Sequence, residues 1–338
     1  MTEHLTAPFE RLERLTLNAP LGVRFWDTAL GTYVRGRLRV SVYPEGDPLR
    51  ATEAVANRSG TYVLHHAAGL GDFEMGLLGT EFTETIPARS PFIVEVRDFE
   101  GRFLPVAFEA ELPFKGLFRR SFAASASPLE PPDDFSIPLY SSISRSAPSG
   151  LAFLRAELYE TAAAESDEGA LMKPAAWAVL EAYATGAGAG LLGRGIADEE
   201  GRVMLVFAYP PPRSSGSSSA GSAPGPFTAG LPFLDQQWPI ELRAYYDGQG
   251  DVLSPPSPAS PLASTGARGR GLPYLSRLLD QSPAALFLDQ AQTEPLTQVT
   301  LMYGPRVYAP PAGSAADSPL NEIPLSILFI TPAGSPPS

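Results

Sequence analysis

A chain of 338 residues with 36 prolines and 31 glycines is too long for one ordinary β-sandwich and too rich in helix breakers for a helical protein. A net charge of −12, with no Lys/Arg-rich block to offset it, removes the electrostatic reason to bind nucleic acid or an anionic membrane surface. With no cysteine there are no disulfides, thiolate nucleophiles or cysteine-ligated metals.

In chain order, residues 1–18 form an N-terminal arm in which Glu10 to Leu17 has the pattern of a short amphipathic helix. Acids and bases are mixed there, without the apolar core of about 7–15 residues that a secretory signal needs. Arg37 to Tyr43 alternates strictly, with Leu38, Val40 and Val42 on one face and Arg37, Arg39 and Ser41 on the other, which predicts a half-buried strand. Further strands are expected over Thr61–His65, Phe92–Arg97 and Phe103–Leu112. The same holds for Leu151–Tyr159, Ala176–Tyr183, Arg202–Tyr209 and Ile240–Tyr246. Leu272 to Gln281 predicts two helical turns with Pro273 in first position. A second helix is expected behind an N-cap at Ser282, with Pro283 at N1 and Ala284 to Leu288 following. Strands are expected again at Gln298–Tyr303, Arg306–Ala309 and Ile323–Thr331. No run reaches the roughly 18 apolar residues of a membrane-spanning helix.

A turn signature repeats. Asn57-Arg58-Ser59-Gly60 and Asp98-Phe99-Glu100-Gly101 lie 41 residues apart, and Asp198-Glu199-Glu200-Gly201 and Asp247-Gly248-Gln249-Gly250 lie 49 apart. An Asx side chain bonds to backbone two residues on, and glycine in fourth place supplies positive φ. The longer spacing contains an inserted Ser/Gly/Pro loop over 210–232. The expected architecture is all-β, with tandem sandwich modules at 19–135 and 136–253. A small mixed region at 254–338 would add a linker, short helices and C-terminal strands.

Four low-complexity stretches, Ser125–Pro132, Ser214–Pro226, Pro255–Arg270 and Pro310–Pro319, bury too little apolar surface to order alone. Phe227, Leu231 and Phe233 follow the second of them. They are the candidate protein-interaction residues, an aromatic plug on a tether that either docks on a neighbour or folds back onto the second module.

No catalytic, cofactor-binding or metal-binding residue is assigned. Gly188 to Gly193 matches G-x-G-x-x-G, but it runs into a turn and a strand rather than a helix, so a flexible loop is expected. His65 and His66, adjacent on a strand end, face opposite ways, and His4 is distant in sequence. Glu109 and Glu111 share a strand face, expected to be solvated; Asp133–Asp134 and Asp198–Glu200 are further carboxylate clusters. Trp177 and Trp238 are expected in core or rim packing, with sugar stacking as the alternative.

The segments VRFWDTALGTYVRGRLRVSVYPEGDPLR, SGTYVLHHAAGLGDFE and FIVEVRDFEGRFLPVAFEAELP resemble a carboxypeptidase-regulatory-like, or transthyretin-like, β-sandwich. With PLYSSISRSAPSGLAFLRAELYE, AAWAVLEAY, GRGIADEEGRVMLVFAYP and PLTQVTLMYG, their order is similar to tail-associated proteins of phage-tail-like contractile injection systems. The resemblance spans nearly the whole chain and rests on structural motifs. It implies a non-catalytic, cytoplasmically assembled particle component near the baseplate, released or membrane-docked with the particle. Its partners would be baseplate, sheath or tube proteins, with no cofactor, no nucleic acid and no direct membrane insertion. The alternative class is a carbohydrate- or peptide-binding sandwich module.

Overall fold

The computed structural model describes residues 17–75, 88–121, 131–161, 172–185, 190–210, 237–248, 252–253, 271–293, 295–302 and 326–332. Within them the protein is all-β, as the sequence predicts, with two curled eight-stranded sheets.

The first sheet is built from β1 (Leu21–Asp27), β2 (Thr32–Tyr33), β3 (Leu38–Pro44), β4 (Thr52–Ala56), β5 (Tyr62–Leu64), β6 (Ser90–Asp98), β7 (Val106–Leu112) and β8 (Ser136–Leu139). Its order is β2-β1-β5-β4-β3-β6-β7, and β8 pairs in parallel with β1. The period-two pattern is clearest on β1, where Leu21, Val23 and Phe25 are buried and their neighbours half-buried. Each such apolar side chain removed from water contributes about 1.5–3 kcal/mol.

The second sheet contains β9 (Leu151–Glu160), β10 (Val179–Ala184), β11 (Gly190–Ile196), β12 (Arg202–Ala208), β13 (Gln237–Tyr245), β14 (Pro283–Phe287), β15 (Gln298–Met302) and β16 (Ser326–Thr331). The order is β11-β10-β13-β14-β16-β9-β12, with β15 on β13 and a parallel β16–β9 pair. The strands of 254–338 therefore complete the second sheet rather than forming a region of their own. Likewise β8, which opens the second module in the sequence division, belongs by hydrogen bonding to the first sheet.

Three further readings change. Ser282–Leu288 is not a helix: Pro283 starts β14, whose ladder runs to Tyr245 and Ala244 on one side and to Phe329, Ile330 and Thr331 on the other. Proline at the first position is compatible with either element, and long-range pairing decides. Within the G-x-G-x-x-G stretch, Gly190 to Gly193 lie on β11 rather than in a flexible loop, while Gly188 and Ala189 lie outside the described residues. A Cβ on Gly193 would stand 2.9 Å from the Phe207 ring, and one on Gly195 would stand 2.9 Å from the Met204 carbonyl oxygen. These glycines let β11 press against β12. Ser41, assigned to the solvent face, is buried, since Leu272 and Tyr274 cover that side of the first sheet beside Tyr43, Ile93 and Ala107.

Besides a 3-10 turn at Pro48–Arg50, the described residues include two short α-helices, α1 (Gly71–Glu74) and α2 (Leu275–Leu279). The second lies inside the predicted 272–281 segment. Leu275 and Leu278 of α2, with Trp177, Val179 and Ile196, pack into the same apolar cluster as the interior of the first sheet. The Ala107 N–H donates to the Pro273 carbonyl at 2.9 Å, and Gln281 Nε2 donates to the Trp177 carbonyl at 2.9 Å. An apolar seam with α2 at its centre thus joins the sheets. The predicted Glu10–Leu17 helix and the Arg306–Ala309 strand lie outside the described residues, apart from Leu17.

Candidate functional site

A groove of about 770 Å³ runs beside the far end of β7. The chain leaves β7 through a cis Leu112–Pro113 peptide and turns back along β1. There the Phe114 N–H donates to the Pro20 carbonyl at 2.8 Å, and the Phe118 N–H to the Gly22 carbonyl at 2.7 Å. Glycine is required at the turn, because Gly116 has φ +99°. Gly22 permits the approach: a Cβ there would sit 3.4 Å from the Gly116 oxygen.

This fold-back concentrates cations. Arg89, Lys115, Arg119 and Arg120 line the groove against two carboxylates, Glu109 and Glu111, on a chain whose net charge is −12. The Arg89 guanidinium lies over the Phe114 ring at 5.4 Å, and that of Arg119 over Phe135 at 5.2 Å. Each ring attracts its guanidinium while the N–H groups remain able to donate. Phe114 in turn meets Phe118 edge-on at 5.5 Å, which ties the wall to the core. Arg89 approaches Glu111 only at 3.8 Å, and both are exposed, so this ion pair is weak.

Two buried charge clusters are built differently. Asp27, the last residue of β1, accepts from both Nη atoms of Arg145, at 3.0 and 2.7 Å. It also accepts the N–H groups of Ala29 and Leu30, and Arg145 donates to the Ser141 hydroxyl. In the second sheet Glu181 accepts from Arg194 Nε at 2.7 Å and from the Tyr183 hydroxyl at 2.6 Å. Burial, then the hydrogen bond and charge of Glu181, push the Tyr183 phenol well above its usual range. Burial alone would lower the Arg194 guanidinium, but Tyr140 and Glu181 outweigh it and raise it. A small cavity of about 130 Å³ lies between this cluster and α2. Both clusters spend their hydrogen bonds on the fold.

No family model and no curated protein matches the chain. One solved structure, a candidate adhesin from Bacteroides ovatus, is similar at 11% identity over 68% of this chain and 79% of that one. Its TM-score is 0.15, too low to carry an argument about fold or function.

The structure disperses the residues that the sequence singles out. Phe227, Leu231 and Phe233 lie outside the described residues, as do His4 and nearly all of the low-complexity stretches. His65 and His66 are exposed just past the end of β5, and His66 Nδ1 stands 3.6 Å from Glu74. Asp98 and Asp198 accept backbone N–H groups of their own turns. Asp133 accepts the Tyr33 hydroxyl at 2.6 Å, the Ser136 hydroxyl and the Phe135 N–H. Burial alone would raise the Asp133 carboxyl, but these donors and Arg24 hold it below the usual range. Trp177 and Trp238 are buried, so neither offers a face to a sugar. Among the described residues no three His, Cys, Asp or Glu side chains are grouped to hold a metal. No helix there is long and apolar enough to cross a membrane.

The groove is not among the candidates that the sequence singles out. Its signal was FKGLFRR over 114–120, where cations alternate with aromatics. Arg89 and Phe135 join it only in the folded chain.

Proposed function

We propose that this chain is a non-catalytic structural component of a phage-tail-like contractile particle, in a baseplate or tail-associated position, which docks neighbouring subunits. The particle assignment comes from the resemblance of its segments. The observation that favours a scaffold is the seam around α2. Leu275, Leu278 and Trp177 are buried against the first sheet, so the two sheets can transmit position as one body. Three of the most buried carboxylates, Asp27, Glu181 and Asp198, are taken up in ion pairs and a turn. A peptide-binding module is the second reading, favoured by the groove beside β7.

The test is gradient sedimentation of a gently opened native lysate, followed by identification of what travels with the tagged chain. Co-sedimentation with sheath, tube or baseplate proteins is the expected result. A chain found only at the monomer position under conditions that preserve such particles would refute the assignment.

A further inference from the structure

We propose that the groove between β7 and residues 114–120 binds an extended acidic peptide segment of a partner. This deepens the docking reading above and rests on it. Charge complementarity carries the inference. The chain is strongly acidic, yet this groove gathers four cations against two lining carboxylates. The Arg120 side chain is buried and paired with Asp134, so Arg89, Lys115 and Arg119 are the ones open to a ligand. Arg89 and Arg119 are each held beside a ring, and Lys115 is exposed at the turn between them in sequence. A guanidinium already held near a ring loses less freedom when it takes a carboxylate in its fork.

The groove suits a peptide better than a nucleic acid. Base stacking needs an open aromatic face. Here Phe114 and Phe135 already carry an arginine each, and Phe118 is buried. Glu109 and Glu111 would repel a run of phosphates, whereas a peptide brings N–H donors that a carboxylate can accept. A long polyanion would also overrun onto a surface of the same sign. A short acidic segment need touch only the groove.

The experiment uses the isolated full chain and a fluorescein-labelled peptide alternating glutamate and valine, read by anisotropy. The same peptide with glutamine in place of glutamate should bind about tenfold more weakly, and added salt should weaken the acidic peptide further. Lys115→Glu with Arg119→Glu should also cost at least about tenfold. Lys115→Glu alone, at an exposed position, should cost a few-fold with an unchanged melting temperature, which guards against a folding defect. Equal binding of the glutamine peptide, or no effect of Lys115→Glu, would overturn the proposal. So would tighter binding of oligothymidylate or a sulfated oligosaccharide that is lost in the same variants. Peptide binding by a chain that enters no particle would sink the assembly reading and leave the groove standing. Particle incorporation without peptide binding would do the reverse.

Discussion

The turns at Asn57–Gly60 and Asp198–Gly201 are chemically the same and are used for different ends. In each, the first residue's Oδ1 accepts the N–H groups two and four residues on, at 2.9–3.0 Å. In each, the glycine N–H bonds back to the first carbonyl at 3.0 Å, with glycine φ at +79°. The first turn links β4 to β5, which are hydrogen-bonded neighbours. The second links β11 to β12, which stand at opposite ends of the second sheet's order. Its glycine is wedged under β9, where the Gly201 carbonyl accepts the Leu158 N–H at 2.8 Å. The two sheets also differ in strand order, so the repeated turn does not mark a repeated module topology. Four residues suffice to specify a turn, but which strands it joins depends on pairs far apart in sequence.

The sharpest break in this comparison comes from the buried pairs. Arg145→Ala leaves Asp27 buried without its partner and should destabilise the protein by about 3–5 kcal/mol. Urea unfolding measures this, and a loss below 1 kcal/mol would mean that water reaches Asp27.

The turns themselves come next. Gly201→Ala should cost about 2–4 kcal/mol, because the left-handed φ and a clash of the new Cβ with the Leu158 carbonyl oxygen add together. Gly60→Ala has the same φ but a nearest contact at 3.6 Å, so it should cost only about 1–2 kcal/mol. Equal losses of thermal stability would show that the wedge under β9 contributes nothing.

Alkaline titration separates the sheets less strongly. Burial, then the carboxylates Glu109, Glu45 and Glu95, push the Tyr274 phenol up to about 12. Its contribution is complete below the unfolded value of about 10 and is lost as pH rises through the folded value. Tyr274→Phe should therefore flatten the fall in stability between about pH 10 and 12. An unchanged slope would place the titration elsewhere, with Tyr183 and Tyr246 as the raised phenols of the second sheet.

Tyr33→Phe should have the smallest effect, about 0.5–1.5 kcal/mol. The depressed Asp133 carboxyl contributes above its unfolded value and loses that contribution as pH falls through the lower, folded one. Removing the Tyr33 hydroxyl should move that loss to higher pH, visible by carboxyl NMR titration; an unmoved carboxyl would contradict this role.

By itself the sequence determined the strand content, most strand positions and the turns, because alternation and Asx–Gly chemistry act within a few residues. Leu151–Tyr159 was readable as a strand, and burial alternates along β9, with Ala152, Leu154, Ala156 and Leu158 buried. Tertiary structure alone decided that Pro283–Phe287 is a strand, since its partners lie in β13 and β16. It also decided that the glycines of β11 serve close packing against Phe207 and Met204. Arg145 sits 118 residues from Asp27, and no local pattern announces that bond. The groove divides the same way. FKGLFRR supplied its cations and rings, but only the return of the chain along β1, and the arrival of Arg89 and Phe135 from distant segments, turned them into a surface. Local chemistry is limited to neighbours in the chain, whereas a site is made of neighbours in space.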